Sequence, residues 1–170
     1  MKLNLRVALI GLVALVAIGG LLRVSSPMPL GVTATKHVTL VVDFGSQSAR
    51  PAIVKRLTGL AASATGWSLF SAASISVEGT AQYPAGFVCR IAGWPSNATE
   101  DCKNTPGAKG HWAYFVTDQR LGHGWVLSGQ GASQHVSPCG AWEGWLWVGE
   151  GVSASSPSVA PKLDAAGCQK

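Results

Sequence analysis

Between His37 and Val148, several short segments separated by loops follow a period of two, and one segment follows a different rhythm. Val38, Leu40, Val42 and Phe44 alternate with His37, Thr39, Val41 and Asp43, which predicts a strand with one strongly apolar face, ended by Gly45. Phe87–Ile91 predicts another. In His111–Thr117, Trp112, Tyr114 and Val116 oppose His111, Ala113 and Phe115. Bulk on both faces predicts a central strand covered on each side. Trp125–Leu127 and the closing run Trp142–Val148 read the same way, and Trp67–Val77 reads as one or two short strands. The departure is Arg50–Thr65. Ile53, Leu57, Leu60, Ala61 and Ala64 fall on one helical stripe. Pro51 suits a first helical turn, and Gly66 suits the position just past a helix end. The spacing therefore predicts a helix over 50–65.

Strand, helix, then several strands gives an α+β fold of β-grasp-like kind. One helix would pack on a mixed, largely antiparallel sheet. The domain is expected to span 37–148. Before it, 25–36 reads as a Pro-, Ser- and Gly-bearing linker. After it, 149–170 is rich in Ser, Pro and Ala and reads as a flexible tail.

The first 24 residues change the reading of charge. Lys2 and Arg6 precede an uncharged apolar run from Val7 to Leu22, closed by Arg23. A spanning helix needs roughly 20 apolar residues, so a cleavable export signal is expected for 1–24, with an N-terminal membrane anchor as the alternative. Ala17-Ile18-Gly19 and Val32-Thr33-Ala34 are the two candidate cleavage sites. The formal charge of +5 is then mostly leader: without Lys2, Arg6 and Arg23, ten basic residues face eight acidic ones. No Lys/Arg cluster remains that would neutralise several phosphates, so nucleic acid is not an expected partner. The expected location is secreted or extracytoplasmic, with membrane attachment if the leader stays on.

Four cysteines in an exported chain imply two disulfides. Three pairings exist among Cys89, Cys102, Cys139 and Cys168. Cys89–Cys102 is favoured because it closes a short local loop, leaving Cys139–Cys168. A zinc site would want close Cys-x-x-Cys pairs, which the sequence lacks. No metal or other cofactor is expected.

Chemistry-bearing motifs are sparse. The sequence has no Gly-x-Ser-x-Gly elbow, no phosphate loop and no His-Glu-x-x-His, so an enzyme is not expected. Glu100 and Asp101 are adjacent and read as a solvated turn. His111, His123 and His135 recur every twelve residues, which matches no known ligand spacing. Six of seven tryptophans lie within Phe87–Val148. They are either core or a platform for a planar ligand, a sugar or a partner protein. The long loop Ala92–Gly110 carries Trp94 and Asn104, as well as the glycosylation sequon Asn97-Ala98-Thr99. The candidate binding residues are Trp94, Asn104, Trp112, Trp125 and His123.

A resemblance adds to this. Phe87-Val88-Cys89-Arg90-Ile91-Ala92-Gly93-Trp94-Pro95, Asp101-Cys102-Lys103-Asn104-Thr105-Pro106, His111-Trp112-Ala113-Tyr114-Phe115, Gly124-Trp125 and Glu143-Gly144-Trp145 resemble small exported actinobacterial proteins with a transcobalamin-like C-terminal β-grasp domain. Relatives of such proteins accompany energy-coupling-type vitamin transporters. The resemblance covers about 37–148. It implies a non-enzymatic binding module for a vitamin-like small molecule, a corrinoid among them, or for a membrane transporter component. Transcobalamins grip the corrinoid against a helical barrel that this chain has no room for, and no ligand-contacting residue is carried over. The alternative is a cell-envelope interaction module without a small-molecule ligand.

Overall fold

The computed structural model describes residues 35–105, 109–117, 124–153, 155–162, 164, 166 and 168. The leader 1–24, most of the linker 25–36 and His123 lie outside the described residues. Among the described residues, seven strands and one short helix follow in the order β1 (Thr35–Asp43), β2 (Ile53–Ala61), α1 (Ser68–Ala72), β3 (Val77–Gly79), β4 (Val88–Ile91), β5 (Gly110–Thr117), β6 (Trp125–Leu127) and β7 (Trp142–Gly149). Five of them form one mixed sheet in the order β2-β1-β7-β5-β6. The other two, β3 and β4, pair as a separate ribbon. Within the large sheet β1 and β7 run parallel, and β1–β2, β5–β7 and β5–β6 run antiparallel.

The alternation read from the sequence sets the two faces. Val38, Leu40, Val42 and Phe44 of β1, Trp112 and Tyr114 of β5, and Trp145 and Trp147 of β7 share one buried cluster. Leu69 and Phe70 of α1 and Val88 and Ile91 of β4 cover it. Ala113, Phe115, Leu146 and Val148 make a smaller cluster on the other face, against Trp125. Bulk on both faces of β5 therefore does mean burial on both faces.

The helix expected over 50–65 is a strand. β2 pairs with β1, Val38 opposite Leu57 and Lys36 opposite Leu60. Three steps along β2 thus match two along β1, so β2 carries an extra residue. Gly59 supplies it, with φ of +69°, the left-handed backbone that glycine adopts without a Cβ penalty. The bulge puts Leu57 and Leu60 on the same face three residues apart, a spacing that strict alternation forbids and a helix would show. The helix that does form, Ser68–Ala72, lies where short strands were expected. Leu69 and Phe70 are buried there by packing onto the aromatic face, which overrides a weak local pattern. β1 also begins at Thr35, two residues inside the expected linker.

Both favoured disulfides are present: Cys89–Cys102 and Cys139–Cys168. They point to an oxidising, extracytoplasmic environment. The first encloses Arg90, which is buried and donates to the Pro95 carbonyl (2.6 Å), the Glu100 carbonyl (2.7 Å) and the Glu78 carboxylate. Glu100, expected in solvent, is buried and accepts from the Cys102 amide at 3.2 Å. The described part of 149–170 crosses the second face of the sheet. Ser158 donates from N and Oγ to Asp43 Oδ2 at 2.7 and 2.6 Å, and the Trp125 indole donates to the Val159 carbonyl at 2.9 Å. Among the described residues no helix is long and apolar enough to cross a membrane.

Candidate functional site

Cross-strand register builds an aromatic floor. Trp112 of β5 sits opposite Trp147 of β7, and Tyr114 opposite Trp145. The two pairs are neighbours on one face, with ring centroids 5.6 Å apart for Trp112–Trp147 and 4.7 Å for the stacked Tyr114–Trp145 pair. Edge-on and stacked rings at such distances add about 0.5–1.5 kcal/mol each beyond the area they bury. Two covering segments leave a slot of about 140 Å³ over part of this floor. Trp112, Tyr114 and Trp145 line it, with Gly86–Val88 on one wall and Gln130–Ala132 on the other. No charged residue lines it. Trp112 and Trp145 are 5% and 4% exposed, and neither indole N–H has a hydrogen-bond partner. Two unpaired buried donors on rings that line one slot are costly unless something accepts from them, because an orphaned buried donor costs about 1–3 kcal/mol.

One slot-lining residue, Tyr114, belongs also to a buried polar cluster. Tyr114 donates from its hydroxyl to Glu143 Oε2 at 2.6 Å. Glu143 is 0% exposed, in the middle of the sheet. Its other oxygen, the Ser137 hydroxyl and His135 Nε2 form no hydrogen bond, and that oxygen lies 3.6 Å from His135 Nε2. Lys36, also buried, donates to the carbonyls of Ala62 and Ala64, both at 2.9 Å, and of Ser137. Gly66 is required here, since a Cβ would collide with the Tyr114 hydroxyl and the Glu143 carboxylate. Burial pushes the Glu143 carboxyl above its ordinary range. The nearby Ser137 hydroxyl, the hydrogen bond from Tyr114, and the neighbouring His135 and Lys36 pull the other way without overcoming it. Burial, with Glu143 beside it, likewise raises the Tyr114 hydroxyl far beyond physiological pH.

A raised carboxyl pKa means that the folded state holds its proton more tightly than the unfolded chain. Its contribution is fully present below the unfolded value, near 4.5, and is lost as pH rises through the folded one. Urea denaturation of the wild type and Glu143→Gln from pH 4 upward should show the wild type losing stability relative to the variant as pH rises. Parallel curves would mean that Glu143 titrates as an ordinary carboxylate.

The candidate residues from the sequence disperse over the molecule. Trp112 lines the slot. Trp94 is half-buried and packs on the same aromatic core from the Cys89–Cys102 loop, its indole N–H also unpaired. Asn104 is exposed beside that loop. Trp125 lies on the opposite face, against Gly144 and Pro157, so it shares no surface with Trp112. His111 and His135 do not converge: His111 is at the start of β5, at the far end from Val116, while His135 is beside Glu143. Sequence reasoning missed Tyr114, Glu143 and Lys36. The available signal was charge inside apolar runs: Glu143 between Trp142 and Trp145, and Lys36 entering β1.

A larger concavity, about 380 Å³, lies at the carboxyl ends of β1 and β7 and is lined by Asp43, Gln47, Arg50 and several serines. Its two charged groups already have partners. Asp43 accepts from Ser158 and from the Gly45 amide, and Arg50 donates to the Ala92 carbonyl at 3.0 Å and stacks over Phe44. It therefore makes a weaker demand for a ligand than the slot does. His37, Cys139 and Cys168 also approach one another, but the two sulfurs are joined in a disulfide and offer no thiolate to a metal.

Compared with protein-family descriptions, with curated proteins and with solved structures, the chain matches none.

Proposed function

We propose that this chain is an extracytoplasmic, non-enzymatic binding module that takes a neutral, planar small molecule into the slot over Trp112, Tyr114 and Trp145. One observation carries the reading: two tryptophans that line one uncharged slot have buried indole N–H groups without acceptors. Stacking on the rings supplies affinity, and ring nitrogens or carbonyl oxygens of the ligand supply the missing acceptors. The volume is close to that of the engineered cavity of about 150 Å³ that holds a benzene ring. The slot thus suits one aromatic ring, or the edge of a larger vitamin-like molecule. A corrinoid would engage it only through such an edge or an appended ring. Kinship with transcobalamin-like β-grasp domains belongs to the same proposal, supported by the parallel pairing of the first and last strands inside the mixed sheet.

The test is a thermal-shift and fluorescence-quenching titration of the oxidised protein with benzimidazole, nicotinamide and cobalamin. Saturable quenching with a raised midpoint is expected for at least one, because a ligand held only by the folded state adds about 2.7 kcal/mol at one hundred times its Kd. Trp112→Phe keeps a ring and removes a donor, and should weaken that binding about three- to tenfold. No response to any probe would defeat this reading. It would favour the second, an envelope or transporter-partner module, for which the support is β2: among the described residues it pairs only with β1, and Val54 on it is exposed.

A further inference from the structure

On the sheet face opposite the slot, His37 stands between a disulfide and the chain's last described turn. Its Nε2 lies 2.7 Å from the Asp164 carbonyl oxygen, and its Nδ1 lies 3.7 Å from Cys139 Sγ. A carbonyl only accepts, so Nε2 carries a proton, and Nδ1 is the ring nitrogen turned toward sulfur. The Asp164 carboxylate is 3.9 Å from the same Nε2 and is itself held by Arg56 at 2.7 Å. The other nearby charge, Lys36, is directed away into the carbonyls of Ala62, Ala64 and Ser137. Cys139 and Cys168 are both partly exposed, whereas in the other disulfide only Cys102 is, and Cys89 is buried. Cys139 also forms part of the wall of an open concavity of about 290 Å³, beside Thr35, Ala62 and Val136. A sulfur, an imidazole and a carboxyl-bearing residue in sequence are the arrangement that stabilises a thiolate.

We propose that Cys139–Cys168 is an exchange-active disulfide, opened by an external thiol with His37 assisting the departure of Cys139. The incoming thiolate bonds to Cys168 Sγ. The Cys139–Cys168 bond breaks, and its electron pair leaves on Cys139 Sγ. The proton released when the external thiol ionised is taken by His37 Nδ1, which then donates to the Cys139 thiolate while Nε2–H stays on Asp164. A second external thiolate attacks the outer sulfur of the mixed disulfide and releases Cys168 as a thiolate. Two external thiols end as one disulfide, and the protein gains two electrons. Attack at Cys168 is favoured because the better-stabilised thiolate leaves faster. After opening, Asp164 on His37 and Arg56, Ser158 on Asp43 and Val159 on Trp125 still hold the C-terminal segment to the sheet.

The experiment incubates the full oxidised chain with reduced glutathione, quenches with an alkylating reagent and maps adducts by mass spectrometry. Cys139–Cys168 should open at least about tenfold faster than Cys89–Cys102, with the glutathione adduct on Cys168 and the free thiol on Cys139. His37→Gln should slow this opening by roughly tenfold, measured against the Cys89–Cys102 rate within the same molecules. Equal opening of the two disulfides, glutathione distributed evenly over Cys139 and Cys168, or a His37→Gln rate equal to wild type would each overturn the proposal. Should the variant fail to fold, the position of the adduct in the wild type still decides.

Discussion

Replacing Trp145 with alanine is expected to cost about 3–5 kcal/mol of folding stability, the range for removing a large buried ring. Trp145 is on the strand at the centre of the sheet and touches both layers of the aromatic core. Its ring stacks on Tyr114 and lies 5.5 Å from Phe70 of α1. The indole N–H has no partner, so the loss is one of packing and not of a hydrogen bond. The neighbours belong to three different elements, and a sheet pinned on both sides cannot collapse into the space. Trp125→Ala is the comparison. That ring is half-buried on the smaller second face, and its loss should cost clearly less. Urea denaturation of the oxidised proteins measures both. A Trp145→Ala loss below about 1 kcal/mol would fall outside the range for a buried ring and would mean that the aromatic floor is not packed as described.

Lys36→Met is expected to be nearly as severe, about 3–5 kcal/mol, the cost of removing one partner from a buried charged network. Methionine keeps the apolar stem and loses every donor. Three carbonyls, from Ala62, Ala64 and Ser137, then lose the same ammonium group. Those carbonyls come from the end of β2 and from the 128–141 loop, so the lysine ties together segments far apart in sequence. The substitution also removes a positive charge that moderates the cost of ionising Glu143. For this reason Lys36→Met and Glu143→Gln should be non-additive, by about 0.5–3 kcal/mol, in a double-mutant cycle. Additive losses would mean that the lysine and the carboxyl are independent.

Five strands of the fold were legible because alternate residues of a strand face opposite sides of the sheet and so write its two faces directly into the sequence. Val38 to Phe44 and Trp112 to Val116 are the clearest cases. β2 was not legible because one bulge at Gly59 shifts its phase and imitates a helical stripe at Leu57 and Leu60. Local pattern carries no information on whether an edge segment has a neighbouring strand to pair with, and β1 decided the matter. The disulfide pairing was legible as far as loop length reaches. The site was legible only in part. Trp112 stood out as an aromatic among aromatics. The convergence of Tyr114, Glu143, Lys36 and His135 depends on sheet register and on where a loop returns, neither of which is encoded in spacing.

The claim on which the functional reading rests is that Trp112 and Trp145 line an accessible slot and that their buried indole N–H groups lack acceptors. Titrating the ¹⁵N-labelled oxidised protein with benzimidazole, nicotinamide and cobalamin, and following the indole N–H resonances assigned by Trp→Phe substitution, tests it most directly. The expected result is that one probe moves the Trp112 and Trp145 signals together along a saturable curve and leaves the Trp125 signal, bound to the Val159 carbonyl on the other face, in place. Stationary Trp112 and Trp145 signals with every probe, or an equal shift of all indoles, would contradict it.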